Sequence, residues 1–229
     1  MHILVQTADG SNTLFNETIG EHYHSAHGAL HESKHVFISA GLKHVIEQKQ
    51  IKEVDILEVG FGTGLNFLLS FAHSEEHQVN LNYTGIEAFP LSKSTIQETG
   101  YKNYVPLPIW ESFINNYEKC ITETSSLSPN CDLKILSAKL DEVKSEATFD
   151  LIYYDAFSVR HQPDMWTDEI IAHTCGFLKP GGIFVTYAIT GNLKRALKKC
   201  GLKIEKLPGA PGKREMLRAV KLDIILPLS

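Results

Sequence analysis

Cysteine is scarce in this 229-residue chain. There are four, at positions 120, 131, 175 and 200, with no C-x-x-C pair among them. That spacing argues against a disulfide framework or a zinc ribbon and reads as reduced, structural thiols. Long apolar runs are lacking too. The longest, such as ILPL near the end, fall far short of the ~20 residues that span a bilayer, so no membrane association is expected. The opening MHILVQTADG has no basic segment leading into an apolar one, so no secretory signal is read and the expected compartment is the cytoplasm. Internal repeats and low-complexity tracts are also missing. What is present is ordinary for a globular chain, 43% hydrophobic and 21% charged, and long enough for one large domain with an appendage.

The net charge of −5 conceals an asymmetry. Residues 190–221 hold ten Lys or Arg against two acids, a local +8 that leaves −13 on the remainder. A basic flank on an acidic body suits a polyanion such as RNA, although a solvated helix and strand face explains the charge equally well. Within it, Lys194, Arg195, Lys198 and Lys199 repeat at i and i+4, opposite Leu193, Ala196, Leu197 and Cys200.

Two apolar runs around Asp9-Gly10 predict a small hairpin, and VFISAGLKHVIEQKQ predicts a helix. From Val54 onward, strand-like runs alternate with helical ones. VDILEVG, NYTGIEAF, LKILSA, FDLIYYDAF and GIFVTYAI are the strands; LNFLLSFAHS, SKSTIQETG, WESFINNYEKC, DEIIAHTCGFL and NLKRALKKC are the helices. Lys179-Pro180-Gly181-Gly182 ends the fourth helix, and TSSLSPN (124–130) and LPGAPG (207–212) read as loops. LKIEKL and REMLRAVKL close the chain as an antiparallel hairpin. The alternation implies a doubly wound α/β sheet, mostly parallel. The expected division is residues 1–50, a hairpin and pocket-covering segment, and residues 51–229, the α/β domain.

Three stretches carry chemistry. His31-Glu32-Ser33-Lys34-His35 fits H-E-x-x-H, the zinc-peptidase pattern. Against it stand Lys34 inside the turn, Gly28 just before it, and the six of eleven histidines that fall between residues 22 and 44 and make a chance match easy. No metal is expected. The second stretch is Glu58-Val59-Gly60-Phe61-Gly62-Thr63-Gly64, a glycine loop between a predicted strand and a predicted helix, with Glu87 ending the next strand. A carboxylate there can accept bonds from both ribose hydroxyls. The G-x-G-x-G spacing favours S-adenosylmethionine over a dinucleotide, since no pyrophosphate must be cradled; a structural glycine turn is the bland reading. The third is FDLIYYDAFSVRHQPDMW (149–166), in which Asp155 ends an apolar strand at the ligand-binding edge of such sheets. Its bland role is to cap the following turn.

FGTGLNFL, YTGIEAFPLS, YYDAFSVRHQPDMW, LKPGGIFVTY and GAPGKREMLRA, in this order, resemble the MnmC/MnmD family of tRNA methyltransferases, from about Tyr23 to Val220. The resemblance implies a class I Rossmann-like methyltransferase with a seven-stranded, mostly parallel sheet, an antiparallel edge strand and a small N-terminal hairpin extension. It implies transfer of a methyl from S-adenosylmethionine to the 5-aminomethyl group of 5-aminomethyl-2-thiouridine at the tRNA wobble position, with the anticodon stem-loop as partner. No stretch here is long enough for the flavin-dependent oxidase that is fused to many members, so a separate oxidase is expected to supply the substrate tRNA.

On that resemblance Asp155 is the catalytic residue. The cofactor contacts are Glu32, Glu58, Gly60, Phe61, Gly62, Thr63, Gly64, Asn66, Glu87, Ala88, Asp141 and Asp155, and the substrate contacts Phe157, Trp166, Tyr187, Lys213, Arg214 and Glu215. The adenine slot itself falls on Lys139, a departure from the pattern, with Asp141 as its nearest acid. Aromatic packing accounts for Phe157, Trp166 and Tyr187 as readily as base stacking does. The rival readings are an aminopropyltransferase acting on a small amine, disfavoured by the basic C-terminal stretch, and a non-catalytic S-adenosylmethionine- or RNA-binding module.

Overall fold

Alternating apolar residues place side chains on both faces of each central strand, and the chain buries them by winding helices on either side. The computed structural model describes residues 2–144 and 148–222. β1 (His2–Gln6), β2 (Asn12–Asn16) and β3 (Glu21–His22) form a small antiparallel sheet. A continuous helical segment follows, in which α1 (Ala29–Glu32) passes into a π-helical stretch, Ser33–Lys43, and then α2 (His44–Lys49). The remaining elements are β4 (Glu53–Val59), α3 (Leu65–His77), β5 (Asn80–Ile86), α4 (Lys93–Glu98), α5 (Leu107–Thr122), β6 (Ser125–Ser128), β7 (Cys131–Leu136), β8 (Phe149–Tyr154), α6 (Asp168–Gly176), β9 (Leu178–Thr186), α7 (Gly191–Lys199), β10 (Leu202–Pro208) and β11 (Glu215–Lys221).

The main sheet has eight strands in the order β10-β11-β9-β8-β4-β5-β7-β6, one more than the sequence suggests. The extra strand is β6, within the stretch read as a loop. Ser125 and Leu127 turn inward while Ser126 stays exposed, and the strand pairs antiparallel with β7. Its serines and short length hide a period-2 pattern that burial of two residues is enough to satisfy. The closing hairpin lies at the opposite edge of the sheet, as expected, with β11 antiparallel to β9 and β10 outside it. Lys179-Pro180-Gly181-Gly182 belongs to β9, which begins at Leu178, so α6 ends before the proline.

One face of the sheet packs against the 29–49 helix, α3 and α5, through Phe37, Leu42, Phe67, Phe71, Phe113 and Tyr153 among others. The other packs against α6 and α7 through Ile152, Tyr154, Ile171, Phe184, Leu193 and Leu197. Gly41 permits the helix to sit close, since a Cβ there would stand 3.0 Å from the Tyr153 ring. The first fifty residues thus share the core of the main sheet. The chain leaves β4 toward β5 and β7 on one side, and runs from β8 to β9 on the other. The switch point lies between the carboxyl ends of β4 and β8, where such sheets open a ligand crevice.

Candidate active site

Glu58 and Asp155 stand on either side of that switch point. Glu58 is 1% exposed. One of its oxygens accepts from Asn66 Nδ2 at 2.8 Å and the other from the Tyr83 hydroxyl at 2.8 Å. The same Asn66 amide donates to Asp155 Oδ2 at 2.9 Å, so one neutral side chain from the first turn of α3 bridges two carboxyls. Burial pushes the Glu58 carboxyl well above the usual range, and the neighbouring Asp155 adds to it. Burial pushes Asp155 up to about 8, with Glu32 adding to the rise and Asn66 and Lys213 opposing it. Asn66 Oδ1 is buried and has no hydrogen-bond partner among the described residues.

The glycine loop lies directly against this pair. Gly60, Gly62 and Gly64 all have positive φ, and a Cβ on Gly60 would come within 2.6 Å of the Asp155 carbonyl. Four of the loop's amides already have partners within the protein. Gly60 and Phe61 donate to Ile86 O, Gly64 donates to Phe61 O, and Gly62 donates to Glu87 Oε2 at 2.9 Å. With these four amides engaged, the loop is a poor nest for a pyrophosphate. Phe61 turns its ring into the core against Gly85, Phe67 and Phe113, so only its backbone lies at the site. The Thr63 hydroxyl pairs with that of Tyr101 at 3.0 Å. Glu87 and Ala88 are half-buried, and Phe89, which donates its amide to Glu87 Oε1, is 77% exposed. Asp141 is exposed on the 3-10 turn Leu140–Glu142 that follows β7, with Lys139 just before it.

The N-terminal segment covers the crevice. The Tyr23 ring crosses Gly62, where a Cβ would meet it at 2.8 Å, and packs edge-on against Phe157. Burial, then the charge of Glu87, pushes the Tyr23 hydroxyl up to about 12. Glu21 accepts the Ser158 amide at 2.8 Å. Glu32, 5% exposed, accepts from the Ser25 amide at 3.0 Å and from Lys213 Nζ at 2.6 Å. Lys213 also sits 3.7 Å above the Tyr187 ring, and Tyr187 donates its hydroxyl to Ala156 O. A contact between residues 32 and 213 closes the site from both ends of the chain. Arg214 is exposed and Glu215 half-buried beside it. Trp166, read from sequence as a stacking candidate, is buried behind the loop. Its indole donates to Phe157 O at 2.7 Å and packs against Tyr154 and Tyr187; its place is that of a brace. Phe157 and Tyr187 remain at the crevice. Glu21 and Tyr83 were not singled out from sequence, and only their distant partners reveal them.

His31 and His35 are held by separate anchors. The His31 amide donates to Asp9 Oδ2, and the His35 ring meets Pro208 O at 2.8 Å. Among the described residues, the one group of three metal-type ligands within 4.8 Å is His73, Glu76 and His77, at the far end of α3. HESKH is therefore a structural segment whose acid alone reaches the crevice.

The residues fit S-adenosylmethionine on their own chemistry. Glu87 can take ribose hydroxyls, and the orphaned acceptor of Asn66 can take an ammonium. One buried and one half-buried carboxyl, Glu58 and Asp155, lie where a cationic centre would sit, and the nearby cation Lys213 is paired with Glu32. A model of the S-adenosyl-L-methionine-dependent methyltransferase family matches residues 107–222. The chain is 29% identical over 214 residues to a tRNA 5-methylaminomethyl-2-thiouridine biosynthesis bifunctional protein MnmC of Campylobacter hominis, covering 90% of this chain and 31% of that protein. It is 26% identical to the MnmC of Ectopseudomonas mendocina, covering 88% and 32%. It therefore spans about a third of the length of these relatives. The crystal structure of MNMC2 from Aquifex aeolicus superposes with a TM-score of 0.77 at 25% identity, covering 96% of this chain and 70% of that one. No helix among the described residues is long and apolar enough to cross a membrane.

Proposed function

Because the chain belongs to the S-adenosyl-L-methionine-dependent methyltransferase family, we propose that it methylates the 5-aminomethyl group of 5-aminomethyl-2-thiouridine at the wobble position of tRNA, in the cytoplasm. The observation that carries this reading is the half-buried Asp155 carboxyl, the floor of a site bordered by Tyr187, whose hydroxyl holds Ala156 O, and by Phe157, which packs against Tyr23. Such a floor selects an amine, and such walls suit a planar base. The MnmC relatives are named for this modification. In this proposal the anticodon stem-loop is the partner and an oxidase activity makes the substrate.

Bound S-adenosylmethionine supplies an electrophilic methyl group on a sulfonium. An alkyl ammonium has a pKa of about 10 and must be neutral to attack, so the chain's task is to orient the free amine and receive a proton afterwards. Asp155, held by Asn66, fixes the amine through a hydrogen bond, and its oxygen takes the proton that the methylated amine sheds. Alignment supplies much of the acceleration. Tyr187 and Lys213 hold the loop after Asp155, while Tyr23 and Glu32 form part of the cover contributed by residues 1–50. Gly60, Gly62, Gly64 and Glu87 hold the adenosine side.

Protein, labelled S-adenosylmethionine and tRNA bearing 5-aminomethyl-2-thiouridine should yield labelled tRNA. Parallel reactions with putrescine and decarboxylated S-adenosylmethionine should yield nothing. No transfer to that tRNA at saturating cofactor would sink the assignment.

A further inference from the structure

Three carboxyls converge on the crevice, and they are not treated alike. Glu32 has a cation, Lys213, at 2.6 Å. Among the described residues, Glu58 and Asp155 have only neutral bonding partners, the Asn66 amide that they share and the Tyr83 hydroxyl. The charged and titratable groups around the pair are mostly acidic. Glu58 faces Asp155, Tyr83, Tyr153 and Glu87; Asp155 faces Glu32, Glu21, Tyr187 and Lys213. Lys213 is the one cation in that set and is already engaged with Glu32. Glu58 is buried and Asp155 half-buried; joined by one neutral amide, the two repel each other when both are ionised, and the arrangement favours one retained proton until a counter-charge arrives.

We propose that Glu58, Asn66 and Asp155 form a charge-selective unit. It holds a proton in the free protein and gives that proton to water when a ligand bearing a positive centre takes its place beside the pair. The inference rests on the cofactor assignment and is independent of the nucleic-acid substrate. Its consequence is discrimination between cofactor and spent product. S-adenosylmethionine and S-adenosylhomocysteine share the ammonium and carboxylate of their amino-acid end and differ by the sulfonium charge. The cationic ligand supplies the missing counter-charge and drives the proton off, and the neutral thioether leaves it in place. Glu58 and Asn66 thereby act as positioning residues, setting the charge of Asp155 at the moment when it faces the amine. A deprotonated Asp155 then exists mainly in the cofactor-loaded site, where a base is needed.

Calorimetric titration of the full chain in two buffers of different ionisation enthalpy counts the protons released. At pH 7, S-adenosylmethionine should release about one proton and S-adenosylhomocysteine markedly less. Affinity for the former should rise by up to about tenfold per pH unit between pH 6 and 8. Glu58→Gln, checked for folding by thermal melting, should reduce the difference in proton count and flatten the pH dependence; Asp155→Asn serves the same purpose if the first variant does not fold. Equal counts for the two ligands in the wild-type protein overturn the proposal alone, as does a full difference retained in both variants. Failure of both ligands to bind overturns it together with the cofactor assignment.

Discussion

Strands β4 and β8 each carry an acid toward both ends of the sheet, and the two ends use the same residue types in opposite ways. At the amino end, Asp150 is bonded by Lys49 at 3.0 Å, by Lys179 at 2.8 Å and by the Asp55 amide at 3.2 Å, while Lys179 also reaches Asp55 at 2.5 Å. Burial pushes the Asp150 carboxyl up, and the bonds from Lys179 and Lys49 outweigh it, holding it below the usual carboxylate range. At the carboxyl end, Glu58 and Asp155 are bonded by an amide and a phenol, and both are raised. Burial acts on both ends; the partner decides the outcome. A carboxylate given lysines becomes a fixed structural ion. One given only neutral donors keeps its proton until something cationic arrives.

The largest break in this comparison is to remove the acid at the functional end. Asp155→Ala should lower kcat for tRNA methylation by about 10²–10⁴-fold without loss of folding, measured by methyl transfer and by melting of the same preparation. Asp150→Asn should do the reverse. It leaves two lysines short of a partner and should cost about 1–2 kcal/mol, since Lys49 and Lys179 are partly solvated. Folded enzyme should keep its kcat. If Asp150→Asn slows turnover at full occupancy of the native state, the two ends are not separable.

The two ends also differ in the sign of their pH dependence. Asp155 keeps its proton in the folded state after the unfolded chain has lost it. Its contribution to stability is therefore full below about pH 4 and falls as pH rises to about 8. Asp150 has a depressed value, so its contribution is present above the ordinary carboxylate range and is lost as pH falls through its folded pKa. Melting temperatures of the free protein should show both limbs. Asp155→Asn should raise Tm at pH 8, by about 2–4 °C for each kcal/mol relieved, and Asp150→Asn should remove the acid limb. A variant at 155 that melts lower at pH 8 would contradict the assignment of a retained proton.

The asymmetry between the ends was only half legible in the sequence. Asp155 and Glu58 draw the eye because they terminate apolar strands beside a glycine loop. Asp150 sits one residue into the same run, FDLIYYD, and no pattern marks it as tied to lysines 101 residues before it and 29 after. Glu32 and Lys213 are 181 positions apart; each could be named from the resemblance, but their pairing is a product of the fold. The strands and helices were readable wherever periodicity was strong. β6 was not, because two buried residues among serines look like a loop. Trp166 was named as a possible stacking ring and Phe61 as part of the glycine loop, whereas tertiary packing makes one a brace and turns the other's ring into the core. Local pattern gives the element and the edge; the charge state comes from partners that only folding brings together.

The smallest effect belongs to charges that neither end encloses. α7 presents Lys198 toward solvent with Lys194 half-buried, while Lys199 pairs with Asp168 at 2.6 Å and Arg195 is bonded to Asn192. These cations are screened by water and salt, so each contributes little alone. If α7 grips the tRNA backbone, Lys198→Ala should weaken binding a few-fold for any tRNA sequence and reduce the slope of log K against log salt by about one. Cofactor affinity and its proton count should not change, because the helix's solvated face is electrically remote from the buried pair. An unchanged salt slope would place the RNA path elsewhere, and a changed proton count would mean that the site is less insulated from the surface than its burial implies.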